Sequence, residues 1–197
     1  KDAFIVWQMS SNNPYPRNSV LNQRERLIVS DGQGYFSPEH PATSGVNELY
    51  FQYSGYIQPT PNAKLEFEKL VETNLAGRVK VSNVIQRQND QFGSANRQFT
   101  LAAYIHGNEV DKGVPTKEAA RVASKQKTDV IYVADIDTLS DFYVSMRETP
   151  IVDGVEYRYQ NMSFVLNVID ALADEQIYLG LRNRRVDHVT LAVVEKT

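Results

Sequence analysis

The sequence predicts an α/β domain: a mixed, mainly parallel sheet with helices on its faces. Two stretches carry that expectation. Val130 to Ala134 (VIYVA) is an unbroken apolar run, the pattern of an interior strand covered on both faces, and it leads straight into Asp135, Asp137, Ser140 and Asp141. Asn161 to Ala173 (NMSFVLNVIDALA) then places Val165, Val168, Ile169 and Leu172 at helical spacing on one face. Strand, loop and helix make one unit, and the loop lies at the carboxyl end of the strand, where α/β sheets hold their sites. The alternative is an α+β domain with a largely antiparallel sheet, because Arg78 to Ile85 and Gln98 to Ile105 read as two strands of a long-looped hairpin around QRQNDQFGSANR.

A chain of 197 residues, 42% hydrophobic, has enough apolar surface for one core and is expected to form a single domain over residues 1–197. Lys and Arg number 21 against 24 Asp and Glu, for a net charge of −3, so no electrostatic pull toward nucleic acid is expected. With no cysteine, the chain excludes a disulfide framework, a thiolate zinc site and a thiol nucleophile together. No run approaches the roughly 20 apolar residues that span a bilayer, and no signal-peptide pattern opens the chain. The start at Lys1 and the strand-like close VTLAVVEKT lead us to expect a piece of a longer protein, with anchoring segments outside it.

In chain order, Phe4 to Trp7 reads as a short strand that stops at the breakers Ser10 to Pro16. Arg26 to Ser30 reads as a second, ended by the Asp31 to Gly34 turn. Ser37 to Gly45 holds two prolines, with Thr43 and Ser44 available as caps. Glu48 to Tyr53 alternates, setting Leu49, Phe51 and Tyr53 on one face and Glu48, Tyr50 and Gln52 on the other, and Gly55 and Pro59 to Asn62 end it. Ala63 to Leu75 fits both a helix, through Phe67, Leu70, Val71 and Asn74, and a strand. Gly107 to Lys127 reads as an exposed excursion with one short helix around Thr116 to Ser124. Arg147 to Gln160 is a connection built on Pro150 and the Asp153-Gly154 turn, and Asn161 is the expected N-cap of the helix that follows. Beyond it, Ile177, Leu179 and Leu181 precede Arg182, Arg184 and Arg185, and Val189 to Val194 reads as a last strand or helix.

Asp135-Ile136-Asp137-Thr138 at a strand end looks like the nucleophile motif of haloacid dehalogenases, where the first Asp attacks phosphorus and the second serves as acid and base. That chemistry also needs a Lys and a later acidic pair, and only scattered carboxylates follow. The plainer expectation is that Asp135 and Asp137 organise a turn by accepting backbone N–H bonds and hold no metal. As a calcium loop the stretch fails twice, with Ser140 where Gly is needed and Met146 where a bidentate Glu is needed. No metalloprotease, P-loop, nucleophile-elbow or dinucleotide motif occurs. His40, His106 and His188 are far apart in sequence and are expected on loops or the surface. Tyr50, Phe51, Tyr53 and Tyr56 offer either a carbohydrate or peptide surface or ordinary sheet packing. The group Arg182, Arg184, Arg185 and His188 is either a solvated end or a patch for anionic head groups or an acidic partner.

Four stretches in order, Pro38 to Ile57, Phe99 to Gly107, Asp129 to Asp141 and Asn161 to Arg184, resemble the auxiliary component of ABC-type transport systems related to the gliding-motility protein GldG. The matching places are His40-Pro41-Ala42-Thr43, Asp135 and Asp137, Asn161, Phe164, Asn167, Leu172-Ala173 and Leu181-Arg182. Departures fall at Ala134, where a Gly is usual, and at Thr138 and Ala171, where aromatics are usual. Coverage runs from about Gly34 to the end and is thin over residues 1–34. The resemblance implies an extracytoplasmic α/β domain distantly like glutamine amidotransferases, held by transmembrane helices outside this stretch and partnered by an ABC permease and ATPase. It favours a strand over Ala63 to Leu75. It implies no catalytic residue, cofactor or metal, since the amidotransferase Cys has no counterpart here. His40, Asp135, Asp137, Asn167 and Arg182 are then expected to serve turns or interactions. The competing expectations are a phosphoryl-transfer enzyme using the paired aspartates and a carbohydrate- or peptide-binding module.

Overall fold

In the computed structural model, which describes residues 3–8, 25–30, 35–81, 91–108, 127–148, 151–152, 154–175 and 177–178, every strand pairing among those residues is antiparallel. The strands are β1 (Ala3–Gln8), β2 (Arg26–Ser30), β3 (Glu48–Gln52), β4 (Glu66–Glu72), β5 (Ala76–Val81), β6 (Gln91–Arg97), β7 (Thr100–Asn108), β8 (Lys127–Val133), β9 (Ile151–Val152) and β10 (Val155–Glu156). Two helices, α1 (Asp141–Glu148) and α2 (Asn161–Leu172), and two 3-10 turns, η1 (Pro41–Thr43) and η2 (Ile136–Leu139), complete the described elements. The sheets are ordered β1-β5-β6, β4-β7-β8 and the pair β2-β3, with β9-β10 a small hairpin.

This corrects the expected mainly parallel α/β sheet, and with it the amidotransferase-like arrangement; the antiparallel α+β alternative is the architecture found. The error lies in one strand. Instead of an interior member, β8 is the last strand of its sheet among the described residues and pairs only with β7. Its Ile131 and Val133 pack on the core, while Val130 is 43% and Tyr132 55% exposed. An apolar run looks the same in sequence whether its second face is covered or merely apolar, so continuity alone misplaced it. The interior strand is β7, whose Leu101, Ala102 and Ala103 are wholly buried between β4 and β8.

Other expectations changed for local reasons. The polar stretch 91–97, read as loop, is β6 and pairs with β5, so the hairpin partner of β5 is not β7. Ala63 to Leu75 contains a strand, β4, which pairs with β7 from Glu66↔His106 to Glu72↔Thr100 with register shifts near Val71. The expected helix at Thr116–Ser124, Arg182, His188 and Val189–Val194 lie outside the described residues.

One core unites the sheets. Leu27 and Val29 of β2, Leu49 and Phe51 of β3, Leu70 and Val71 of β4, Leu101 and Ala102 of β7 and Phe164 of α2 share it. The opposite face of the β2-β3 pair is covered as well: Ile28 and Tyr50 form a second cluster with Tyr143 of α1, against which Tyr157, Tyr159 and Met162 pack. Tyr50 is therefore buried. Past β3, Ser54 and Gly55 tie neighbouring strands together: Val6 N–H donates to the Ser54 carbonyl (2.8 Å), and Gly55 N–H donates to that of Ala134 (3.1 Å). In the first sheet Trp7 faces Gly77 across β1 and β5, and a Cβ at Gly77 would fall 2.2 Å from the indole Cε2, so only glycine admits that ring.

Candidate functional site

Two of the residues singled out in sequence, Asp135 and Asn161, meet along the free side of β3. In an antiparallel strand alternate residues turn their backbone groups away from the partner, here toward the side that no strand occupies among the described residues. Three such positions, Glu48, Tyr50 and Gln52, are each met by another part of the chain. The Gln160 N–H donates to the Glu48 carbonyl (2.9 Å). The Asn161 side chain does the work of a neighbouring strand at Tyr50: Oδ1 accepts from its N–H (3.1 Å) and Nδ2 donates to its carbonyl (2.7 Å). Asp135 Oδ2 accepts from the N–H of Gln52 (2.6 Å), while Oδ1 accepts from the N–H of Asp137 (2.9 Å) and starts η2.

Asp135 is buried, and burial raises its carboxyl pKa above the usual range even though the Gln52 and Asp137 N–H bonds pull it down. Both its oxygens are occupied by backbone donors. Asp137 contributes its main chain, its carbonyl accepting from Ser140 N–H (2.9 Å), and its exposed carboxylate has no hydrogen-bond partner among the described residues. Asn161 is not the helix cap. Gln160 holds that position without a side-chain cap bond and uses its amide elsewhere: Oε1 accepts from the N–H of Asn47 (2.6 Å), and Nε2 donates to the Gly45 carbonyl (3.3 Å). Two turns along α2, Asn167 Nδ2 donates to the carbonyls of Ser44 (2.9 Å) and Ala42 (3.4 Å), fixing η1 against the helix. His40 caps η1, its Nδ1 accepting from Ala42 N–H (3.1 Å).

The structure also joins two histidines that the sequence keeps apart. The Tyr104 ring lies 4.9 Å from that of His40 and stacks on His106 at 4.4 Å. The Tyr104 hydroxyl donates a short bond to Asp129, which Lys127 pairs at 2.7 Å. Lys127 and that hydroxyl hold the Asp129 carboxyl below its usual range, and the bond to Asp129, ahead of burial, raises the phenol to about 12. Burial lowers the His40 pKa, Glu68 opposes it and His106 adds to it. Sequence reading missed Tyr104; the alternation of Tyr104 and His106 on one strand face was the available signal. Of the aromatic group weighed as a ligand surface, Tyr50 and Phe51 belong to the core. Among the described residues no three His, Asp or Glu side chains converge as metal ligands would.

An open groove of about 790 Å³ lies between β8 and α2. Its walls include Ile131 to Asp135 in unbroken succession, Ile136 and Leu139 of η2, and Val165, Val168 and Ile169 of α2. The apolar stripe expected to bury α2 thus lines this groove in part, while Asn161, Phe164 and Asn167 face inward. Thr138 also lines it, with a buried hydroxyl that lacks a partner among the described residues. No helix among the described residues is long and apolar enough to cross a membrane.

A family model for auxiliary components, described as an ABC-type uncharacterized transport system, matches residues 2–168. No curated protein and no solved structure matches the chain.

Proposed function

The chain belongs to this family of auxiliary components of ABC-type transport systems, and we propose that it works there as a non-enzymatic, membrane-tethered, extracytoplasmic module of the GldG kind, assembling with a permease and an ATPase. The match over residues 2–168 carries the reading. The geometry supports it: Asp135, Asn161 and Asn167, which give the chain its family resemblance, spend their polar atoms on backbone groups of the same domain. A nucleophilic carboxylate needs a free oxygen facing substrate, and both oxygens of Asp135 accept main-chain N–H bonds. The test is affinity purification of the full-length protein from its own membranes in mild detergent. Recovery of a permease and an ATPase in fixed ratio is expected; a protein that elutes without either, or that hydrolyses a phosphomonoester in an Asp135-dependent way, overturns the reading.

A further inference from the structure

We propose that η1 is an acid-operated latch: when His40 takes up a proton, the turn opens and loosens its hold on α2 while the sheets stay folded. The latch does not depend on the transport reading.

Pro41 has no N–H, so Ala42 supplies the first donor of η1, and its partner is His40 Nδ1 (3.1 Å). A neutral imidazole accepts on one nitrogen and carries its hydrogen on the other, so accepting at Nδ1 puts the hydrogen of His40 on Nε2. The proton that charges His40 therefore arrives at Nδ1, where the Ala42 N–H already points. Charge and cap bond exclude each other. Ala42 is wholly buried, so its N–H exchanges that partner for water only if the turn opens. Asn, Asp or Ser would cap such a turn without titrating between about pH 5 and 8, whereas His makes the cap answer to acid.

The groups around the ring give the charged state somewhere to go. Strand pairing sets Glu66, His106 and Asp129 in one row across β4, β7 and β8, with Glu68 opposite Tyr104 in the next. Glu68 Oε1 accepts from the Ser37 hydroxyl (3.1 Å). The Tyr104 ring centre lies 4.9 Å from that of His40, and His106 stacks on Tyr104 with its Nε2 3.6 Å from Glu66. Asp129 is taken by the Tyr104 hydroxyl and by Lys127. The one charge on α2 is Asp170, a turn past Asn167, and Glu39 is exposed beside His40 in the chain. Burial is the main force that keeps His40 neutral; Glu68 pulls toward the charged form, and His106 adds to burial. Released from Ala42, the charged ring gains the attraction of Glu68, so each state has its own partner.

The fastening of η1 keeps the opening local. Asn167 Nδ2 donates to the carbonyls of Ala42 (3.4 Å) and Ser44 (2.9 Å), and Thr43 Oγ1 donates to those of His40 (2.9 Å) and Ser37 (2.6 Å). All four acceptors lie between Ser37 and Ser44, so a change in the turn reaches α2 through Asn167. The free side of β3 is held separately, by Gln160, Asn161 and Asp135.

Hydrogen exchange read by mass spectrometry on the full-length protein, from about pH 7 to 5, tests the latch, with a β7 peptide from the same digest as the reference for chemical and global effects. Protection of the amides of residues 42–45 relative to β7 is expected to fall about tenfold as His40 charges, roughly the worth of one cap bond. His40→Asn keeps an acceptor that does not titrate and should hold the ratio flat. Glu68→Gln should move the transition to lower pH and His106→Asn to higher pH. Nitrogen-15 NMR of histidine-labelled wild-type protein, which needs no variant, should show the neutral His40 ring with its hydrogen on Nε2. A flat ratio in wild type, a transition that persists in His40→Asn, or a neutral ring carrying its hydrogen on Nδ1 overturns the proposal.

Discussion

Replacing Asn161 with Ala removes both bonds that close the free side of β3 at Tyr50. Asn161 is wholly buried and Tyr50 nearly so. The variant leaves one peptide N–H and one C=O away from water without partners, at about 1–3 kcal/mol each, or about 2–6 kcal/mol together. For a chain of this size about 4 kcal/mol lowers Tm by roughly 8–16 °C. Equilibrium urea unfolding followed by tyrosine fluorescence measures the change directly, with the slope m held as a check on two-state behaviour. Asn161→Asp makes a second arm. Its carboxylate accepts from the Tyr50 N–H but faces the Tyr50 carbonyl with a lone pair, so it prefers to be protonated in the folded state. Its folded pKa is then raised, and its stability is highest below the unfolded carboxyl pKa and lost as pH rises through the folded value. A loss below about 1 kcal/mol in Asn161→Ala, with no acid recovery in Asn161→Asp, would refute the reasoning that this amide stands in for a strand.

Three further outcomes follow from the geometry. The lowered pKa of His40 means the folded state holds it neutral, so its contribution is present above its ordinary 6.5 and is lost as pH falls through the folded value; the stability advantage of wild type over His40→Asn should shrink from about pH 7 to 5, and a flat difference would contradict it. Gly77→Ala should destabilise by about 1–3 kcal/mol or more through collision with Trp7, read as a fall in denaturation midpoint, and a neutral result would show that the indole does not sit over that glycine. Asp135→Ala should cost about 1–3 kcal/mol while Asp137→Ala stays within about 0.5, with neither melt shifted by Mg²⁺; equal losses, or a metal-dependent rise in wild type, would return Asp137 to a working role.

Much of the strand content was legible because it rests on local pattern. Phe4 to Trp7, Arg26 to Ser30 and Glu48 to Tyr53 announce themselves by β-branched and aromatic alternation, and α2 by its helical stripe. What sequence patterning could not decide was pairing. Whether β8 lies inside a sheet or at its edge depends on which strand sits beside it, and VIYVA suits either place. The hydrogen-bonded role of Asp135 was readable in part, since a carboxylate at a strand end commonly accepts from the turn that follows; its second acceptor bond, from Gln52, crosses 83 residues of sequence and has no local trace. Asn161 was misread for the same reason: an Asn ahead of an apolar helix looks like a cap, and only the approach of β3 turns its amide to Tyr50. Tyr104, between two histidines from different elements, was visible only as one more aromatic on a strand.

The central claim is that the polar motif residues fasten the domain internally: Asp135 is buried with both oxygens accepting main-chain N–H bonds, whereas the neighbouring Asp137 is exposed. The most direct measurement compares Asp135→Ala and Asp137→Ala in the full-length protein, for the denaturation midpoint and for recovery of a permease and an ATPase from native membranes per folded molecule. Asp135→Ala is expected to lower the midpoint, while Asp137→Ala leaves both readouts at the wild-type level; loss of partners by Asp137→Ala at unchanged stability, or an unchanged midpoint in Asp135→Ala, would contradict it.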